Sequence, residues 1–463
     1  MAQHLAEKFL KDSAAKSLDS QQQRILKDNI DRYEHVFTIA KNKFHDLSNT
    51  KKKANFLKWK VIENLDRYLV EFESNFIKRG GKVIWANDAA EAREEIWKIV
   101  ERQGASTVIK SKSAVAEEIG IYSFLKDQGV ETIESDIGDY IVDLAGQKPA
   151  HFVTSAIHLG QDDIARLFHD KFGTSPDAST TECIAKAQED LRQKYTAADI
   201  SITGANFLVA DTGSIAITEN EGNVRLTTTF PKIHIAIVGI EKVISSLNDL
   251  DLFWPLLASH GTGQNLTAYN SIISGPRQAH ETDGPEEMYV ILIDNGRTNL
   301  LAQKEQRQGL YCIRCGACVN ACPIYKQIGG HTYNTTYPGP IGSLITPHLN
   351  GLRKYKHLSY ASTLSGKSAE VCPVGIDIEK MLLLNRRDAV QKDLTSASER
   401  RRWKVFAYLV GKRKWLDLFG GKSKNFLTRL LFRKAWGPQR DLPHFAEESF
   451  SKQWEKNQST KIR

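Results

Sequence analysis

The sequence lacks an apolar run approaching the length of a membrane span, which argues against a membrane-embedded class. The first residues carry no apolar leader core, so no secretory signal is expected and a cytoplasmic location is. No G-x-G-x-x-G follows a strand pattern, so a dinucleotide fingerprint is absent. Thr203–Asn206 and Asp211–Ser214 are Gly-containing turns, read as buried turns rather than phosphate cradles. Proline and glycine are missing from residues 1–75, where charged and apolar positions alternate as in helices. Cysteine is scarce, six in 463 residues, and clustered. That usage suits metal ligands in a reducing compartment better than disulfides.

What is present starts with five of those six cysteines. Cys312, Cys315, Cys318 and Cys322-Pro323 form Cys-x2-Cys-x2-Cys-x3-Cys-Pro, the spacing of bacterial cubane iron–sulfur sites. A zinc site usually shows paired Cys-x2-Cys units instead. In two-cluster ferredoxins the fourth cysteine of such a run serves the other cluster, so a second frame should follow. Ser362, Ser365, Ser368 and Cys372-Pro373 repeat the spacing, but only the last is cysteine. The rule assigns Cys312, Cys315, Cys318 and Cys372 to one [4Fe-4S] cluster. Cys322 would serve a second cluster, otherwise flanked by serines, which are hard oxygen donors and poor iron ligands. One cluster is expected and the second is doubtful. Cys183 stands apart and reads as a buried structural thiol. Arg314, Lys326 and Arg353 surround the motifs with positive charge, as suits electron transfer.

From Gly81 onward strands alternate with helices, the pattern of a doubly wound α/β domain with a parallel sheet. Strands are expected at Lys82–Ala86, 106–110 and 131–135, with helices over Ala89–Gln103, 114–128 and Gln161–Phe172. Residues 151–157 are expected to continue the alternation, and a further helix to end at Tyr195. Residues 213–218 and 224–229 read as a hairpin turning at Glu219–Asn223. Apolar runs at 233–238 and 288–294 read as central strands. Asp136, His151, His158 and His234 are candidates to line a pocket near strand ends. Four regions follow: a helical region 1–75, an α/β domain 76–300, a helical ferredoxin-type domain 301–390 and a basic, aromatic-rich tail 391–463.

The formal charge of +8 is uneven. Residues 396–463 hold 17 Lys/Arg against 6 Asp/Glu, leaving the rest of the chain slightly acidic. Trp403, Phe406, Leu409 and Val410 share a helical face, as do Phe426, Leu427, Leu430 and Leu431. Two readings stay open: an amphipathic surface for a partner helix or the inner face of a membrane, or helices that cover the cluster domain. No nucleic-acid module accompanies the charge, so nucleic acid is not an expected partner.

The chain resembles the lactate utilization protein B family. The matching stretches include Val108–Ser113, Asp136–Ile141, Pro149–His151, Thr203–Phe207, Thr218–Asn223, Gly239–Val243 and Leu292–Arg297. Gly275-Pro276, Asp283–Pro285, the ferredoxin region and its Tyr337–Gly342 loop complete the match. The resemblance implies an α/β domain related to sugar-phosphate isomerase and coenzyme A transferase folds. It implies an electron-passing subunit in the oxidation of L-lactate to pyruvate. It also implies two partners: a cysteine-rich iron–sulfur protein and a smaller protein built on the same α/β domain. The family pattern has cysteine where Ser365 and Ser368 stand here. Two other functions remain open. An enzyme could act through the α/β domain on acyl or sugar-phosphate groups, using Glu219 or Glu221 as nucleophile. A structural or regulatory subunit could use its cluster only to staple the fold.

Overall fold

The computed structural model describes residues 2–417, 420–436 and 441–461. The chain forms two compact units, the first ending at Asp388 and the second beginning at Ala389. The first unit holds two sheets. The strands in chain order are β1 Lys82–Ala86, β2 Thr107–Lys110, β3 Glu131–Glu134, β4 Ile200–Thr203 and β5 Phe207–Val209. They continue with β6 Ser214–Glu219, β7 Ile233–Gly239, β8 Val243–Ile244, β9 Tyr269–Ile273 and β10 Glu287–Ile293.

The larger sheet runs β1-β10-β7-β4-β2-β3, with every pairing parallel. The two apolar runs, β7 and β10, are its buried interior, as their composition requires. The chain passes from β2 outward to β3, then returns to β4 on the other side of β2. That reversal opens a crevice at the carboxyl ends of β2 and β4, where α/β sheets bind ligands. The smaller sheet runs β8-β5-β6-β9. The helices Ser20–Lys41 and Leu65–Lys78 place Leu26, Ile30, Phe72 and Phe76 fully inside the main core, so the N-terminal region belongs to this unit's interior.

Three expectations fail locally. Residues 224–229 are not a strand but part of the helix Asn223–Thr229, and β6 pairs instead with β5 and β9. The β-branched composition is overridden because the Glu219 carboxylate accepts the amides of Val224 and Arg225 at 2.8 and 3.0 Å, closing the first turn. Residues 151–157 form bends and then a turn, the bends fixed by His151 Nδ1 accepting the amides of Val153 and Thr154. The helix expected over 114–128 divides at Gly120, whose φ of 66° ends the first segment.

The second unit contains the helices Ala397–Val410, Arg413–Asp417, Gly421–Trp436 and Phe450–Lys461. Both predicted apolar faces are exposed: Trp403, Phe406, Leu409 and Val410 on the first, Phe426, Leu427, Leu430 and Leu431 on the third. Residues 418–419, 437–440 and 462–463 of the expected tail lie outside the described residues, as do the side chains of Lys434, Ala435 and Trp436. Among the described residues no helix is long and apolar enough to cross a membrane.

One buried charge network joins the α/β sheet to the cysteine region. Arg297 donates through Nε to Glu241 at 2.5 Å and through both Nη atoms to Glu118 at 2.9 and 3.0 Å. Tyr337, from the Gly/Pro-rich loop, donates its hydroxyl to Glu118 at 2.6 Å. Burial alone would raise Glu241, but Arg297 and Arg314 outweigh it and hold the carboxyl at about 2, below its ordinary 4.5. Its stabilisation is therefore fully present above about pH 4.5 and is lost as pH falls toward 2. Arg297→Met leaves the buried Glu118 without its cation and Glu241 with only the 3.3 Å contact to Arg314. It is expected to cost about 3–5 kcal/mol in urea unfolding at pH 7. The variant should also show a shallower loss of stability between pH 4.5 and 2 than the parent.

Candidate functional site

The two cysteine frames have nearly the same backbone. In the first, Arg314 has φ 61° and Gly316 lies at φ 81°, ψ −9°, before the helix Ala317–Asn320. In the second, Leu364 has φ 53° and Gly366 lies at φ 78°, ψ −11°, before the helix Lys367–Val371. Arg314 N–H donates to Cys312 Sγ at 3.4 Å, and Leu364 N–H donates to Ser362 Oγ at 3.1 Å. At the other end, Cys322 Sγ accepts from Tyr325 N–H and Cys372 Sγ from Ile376 N–H. The two short helices pack on each other. Serine therefore replaces cysteine on a backbone that keeps the first frame's turn.

The sulfur atoms divide as the spacing suggests. Cys312, Cys315, Cys318 and Cys372 line one small cavity, closed by Ile313, Ile341, Val374, Ile376 and Ile378. Burial pushes the thiols of Cys315, Cys318 and Cys372 up, and their charges oppose one another's ionisation. Among the described residues, no three His, Cys, Asp or Glu side chains stand close enough to hold a single metal ion. Four soft donors around one space suit a multi-iron cluster, whose positive iron would draw the thiols into the thiolate form.

Cys322 stands apart from that set. Burial raises its thiol, and its charged neighbours are Glu379 and Lys326. Ser368 is buried and gives its amide to Glu379 at 3.2 Å, while Ser365 is exposed. Cys183 is buried in a separate core cluster, away from both frames.

A larger cavity of about 290 Å³ adjoins the four-thiol cavity, and Cys315 and Phe152 line both. It occupies the crevice at the carboxyl ends of β2 and β4. Ser111–Val115 and Gly204–Asn206 contribute to its walls, so Gly204–Asn206 borders a cavity rather than only turning the chain. Lys112, Lys242 and Arg314 supply cations; Asp136, Glu219 and Glu221 supply carboxylates. Burial and the nearby Asp136 charge raise Glu221 to about 7. Glu219 is committed to capping its helix.

Of the four pocket candidates, Asp136 alone lines this cavity. His151 is buried beside the Gly316 loop, and burial holds its ring neutral at about 3. His234 lies inside the sheet with Nε2 bonded to Thr203, and His158 packs on His331. Lys242, Glu241, Arg297, Glu118 and Tyr337 were not singled out by residue type. Most of them fall in stretches that carried the family resemblance, which was the available signal. Arg314 is no surface cation: it is largely buried against Glu241 and Tyr337.

Residues 69–293 match the LUD domain model and residues 308–376 the 4Fe-4S dicluster domain model. The chain is 39% identical over 409 residues to "Uncharacterized electron transport protein YkgF" of Escherichia coli K12, covering 86% of each chain. It is 38% identical to "Lactate utilization protein B" of Macrococcus caseolyticus, again over 86% of each. To the protein of that name in Bacillus subtilis it is 37% identical, over 85% of this chain and 79% of the other. A solved DUF162 family protein from Deinococcus radiodurans overlays 50% of this chain and 98% of its own, at 15% identity and a TM-score of 0.28, too loosely to carry an argument.

A local backbone demand at the first frame is open to test. A Cβ on Gly316 would stand 2.7 Å from His151 Cε1 on a left-handed residue, whereas one on Gly366 meets nothing within 4 Å. Gly316→Ala is expected to lower iron retained after reconstitution and to lower the unfolding midpoint. Gly366→Ala should show only the smaller left-handed penalty of about 1 kcal/mol. Taken with the fold and these relatives, the sequence places this chain in the lactate utilization protein B family.

Proposed function

We propose that this chain is an iron–sulfur electron-transfer subunit of a system that oxidises L-lactate to pyruvate. The observation that carries the reading is the convergence of Cys312, Cys315, Cys318 and Cys372 on one cavity beside the α/β crevice. These four residues hold one [4Fe-4S] cluster, which when bound accepts and returns single electrons. Cys322, with Ser362, Ser365 and Ser368, lacks a thiolate set, so no second cluster is held there.

The chain's own residues set the conditions for transfer. Ile313, Val374, Ile376 and Ile378 exclude water from the sulfurs. Arg314 places its amide on Cys312 Sγ and its guanidinium close to that sulfur's charge. The helical region 1–75 and the α/β domain 76–300 frame the domain 301–390, and the tail 391–463 offers the exposed, basic face of its described residues to a partner or to an anionic membrane on the cytoplasmic side. The partners are a cysteine-rich iron–sulfur protein and a smaller protein with the same α/β domain. Carboxylate nucleophilic catalysis is the weaker reading, since Glu219 is held as a helix cap.

The test uses the full chain, assembled anaerobically with its partners, and low-temperature EPR after adding L-lactate. A signal of a reduced cubane is expected, and Cys315→Ala should abolish it together with electron flux to the acceptor. Undiminished flux from an assembled Cys315→Ala complex would reduce the cluster to a structural staple.

A further inference from the structure

The crevice cavity contains a cationic end, Lys242 and Arg314, whose charge Glu241 offsets only in part. Lys242 is 6% exposed, lines the cavity and has no hydrogen-bond or ion-pair partner among the described residues. Arg314 lines it too; its Nη2 reaches Glu241 at 3.3 Å, and its Nη1 is buried without a partner. These two cations neighbour each other and Cys312. Two cavity-lining cations thus keep hydrogen-bond donors that an anion in the cavity can satisfy.

The remainder of the cavity limits which anion fits. Asp136, Glu219 and Glu221 neighbour one another and Lys112, at a carboxylate end. Lys112 is already satisfied by Val153 O and Ser155 Oγ, both at 2.6 Å. Three carboxylates repel a polyanion, so phosphate esters and dicarboxylates suit the space poorly. They do accept a hydroxyl hydrogen. The volume of about 290 Å³ lies at the small end of ligand cavities.

We propose that this cavity is a binding site for a small 2-hydroxycarboxylate, its carboxylate held by Lys242 and Arg314 and its hydroxyl turned toward Glu221. The choice of acid rests on the lactate-oxidation reading above; the anion site itself rests on Lys242 and on the unpartnered Nη1 of Arg314. Cys315 forms part of the wall, so the bound acid lies directly beside a sulfur of the four-thiol set. The α/β domain thereby becomes a substrate-side element of this chain rather than a scaffold for the cysteines.

The test is calorimetric titration of the full-length, iron-reconstituted chain without partners, using L-lactate, propionate and inorganic phosphate. L-lactate should bind saturably, and propionate, which lacks the hydroxyl, more weakly. Lys242→Met should weaken L-lactate by about tenfold or more at unchanged iron content. Glu221→Gln should narrow the gap between lactate and propionate. On the unmodified chain, L-lactate should also shift the EPR lines of the reduced cluster, a readout that no folding defect can mimic. Absence of saturable binding up to about 10 mM overturns the proposal. So does stronger binding of phosphate than of lactate, or a Lys242→Met chain that alters only the cluster's midpoint potential. If lactate reduces the assembled complex yet does not bind this chain alone, the pocket assignment falls and the electron-transfer reading stands. If the acid binds but no reduced cluster forms in the complex, the reverse holds.

Discussion

Four thiols on one cavity, three of them buried and Cys312 half-buried, are the constraint from which the rest of the site follows. Burial disfavours the thiolates of Cys315, Cys318 and Cys372, and the charge of neighbouring thiolates disfavours them further. Cys315, Cys318 and Cys372 therefore resist ionising together unless positive charge enters between them. A cluster's iron supplies that charge, and binding then contributes directly to the stability of the loop that holds it. The apolar side chains around the cavity sharpen the demand by keeping water out.

The protein supplies further positive charge from the α/β side. Arg314, Lys242 and Lys58 all feel the charge of Cys312, while Glu241 and Glu118 hold Arg297 in place behind them. Lys58 is pinned by the carbonyls of Glu241 and Val243. The network works as a rigid back wall. It sets the Tyr337 loop against the sheet and fixes the distance between the crevice cavity and the sulfurs. Cluster loop and α/β crevice form one polar centre, which explains why both occupy a single compact unit.

Much of this was legible in the residues. The helices Ala89–Gln103 and Gln161–Phe172 follow amphipathic periodicity and keep the expected ends. β7 and β10 were readable as apolar runs. The spacing of the cysteines anticipated which four sulfurs share a cavity and which one stands apart. Other parts were hidden by tertiary effects. β5 and β8 are three and two residues long, too short to show a period, so the second sheet went unseen. The helix Asn223–Thr229 has a strand-like composition and exists because a carboxylate caps it. Lys242 follows Glu241 in a short, otherwise apolar stretch, and only the fold reveals that it is buried, with no hydrogen-bond or ion-pair partner among the described residues. The serine frame has the first frame's turn because the backbone conformation depends on Gly366 and the packed helix, not on sulfur at the serine positions.

The account depends most on which sulfurs hold iron. Iron and acid-labile sulfide per chain, measured after anaerobic reconstitution of Cys372→Ala and Cys322→Ala, address this directly. About four irons are predicted for the unaltered chain and for Cys322→Ala, with clear loss in Cys372→Ala. About eight irons in the unaltered chain, or equal loss in both variants, would contradict it.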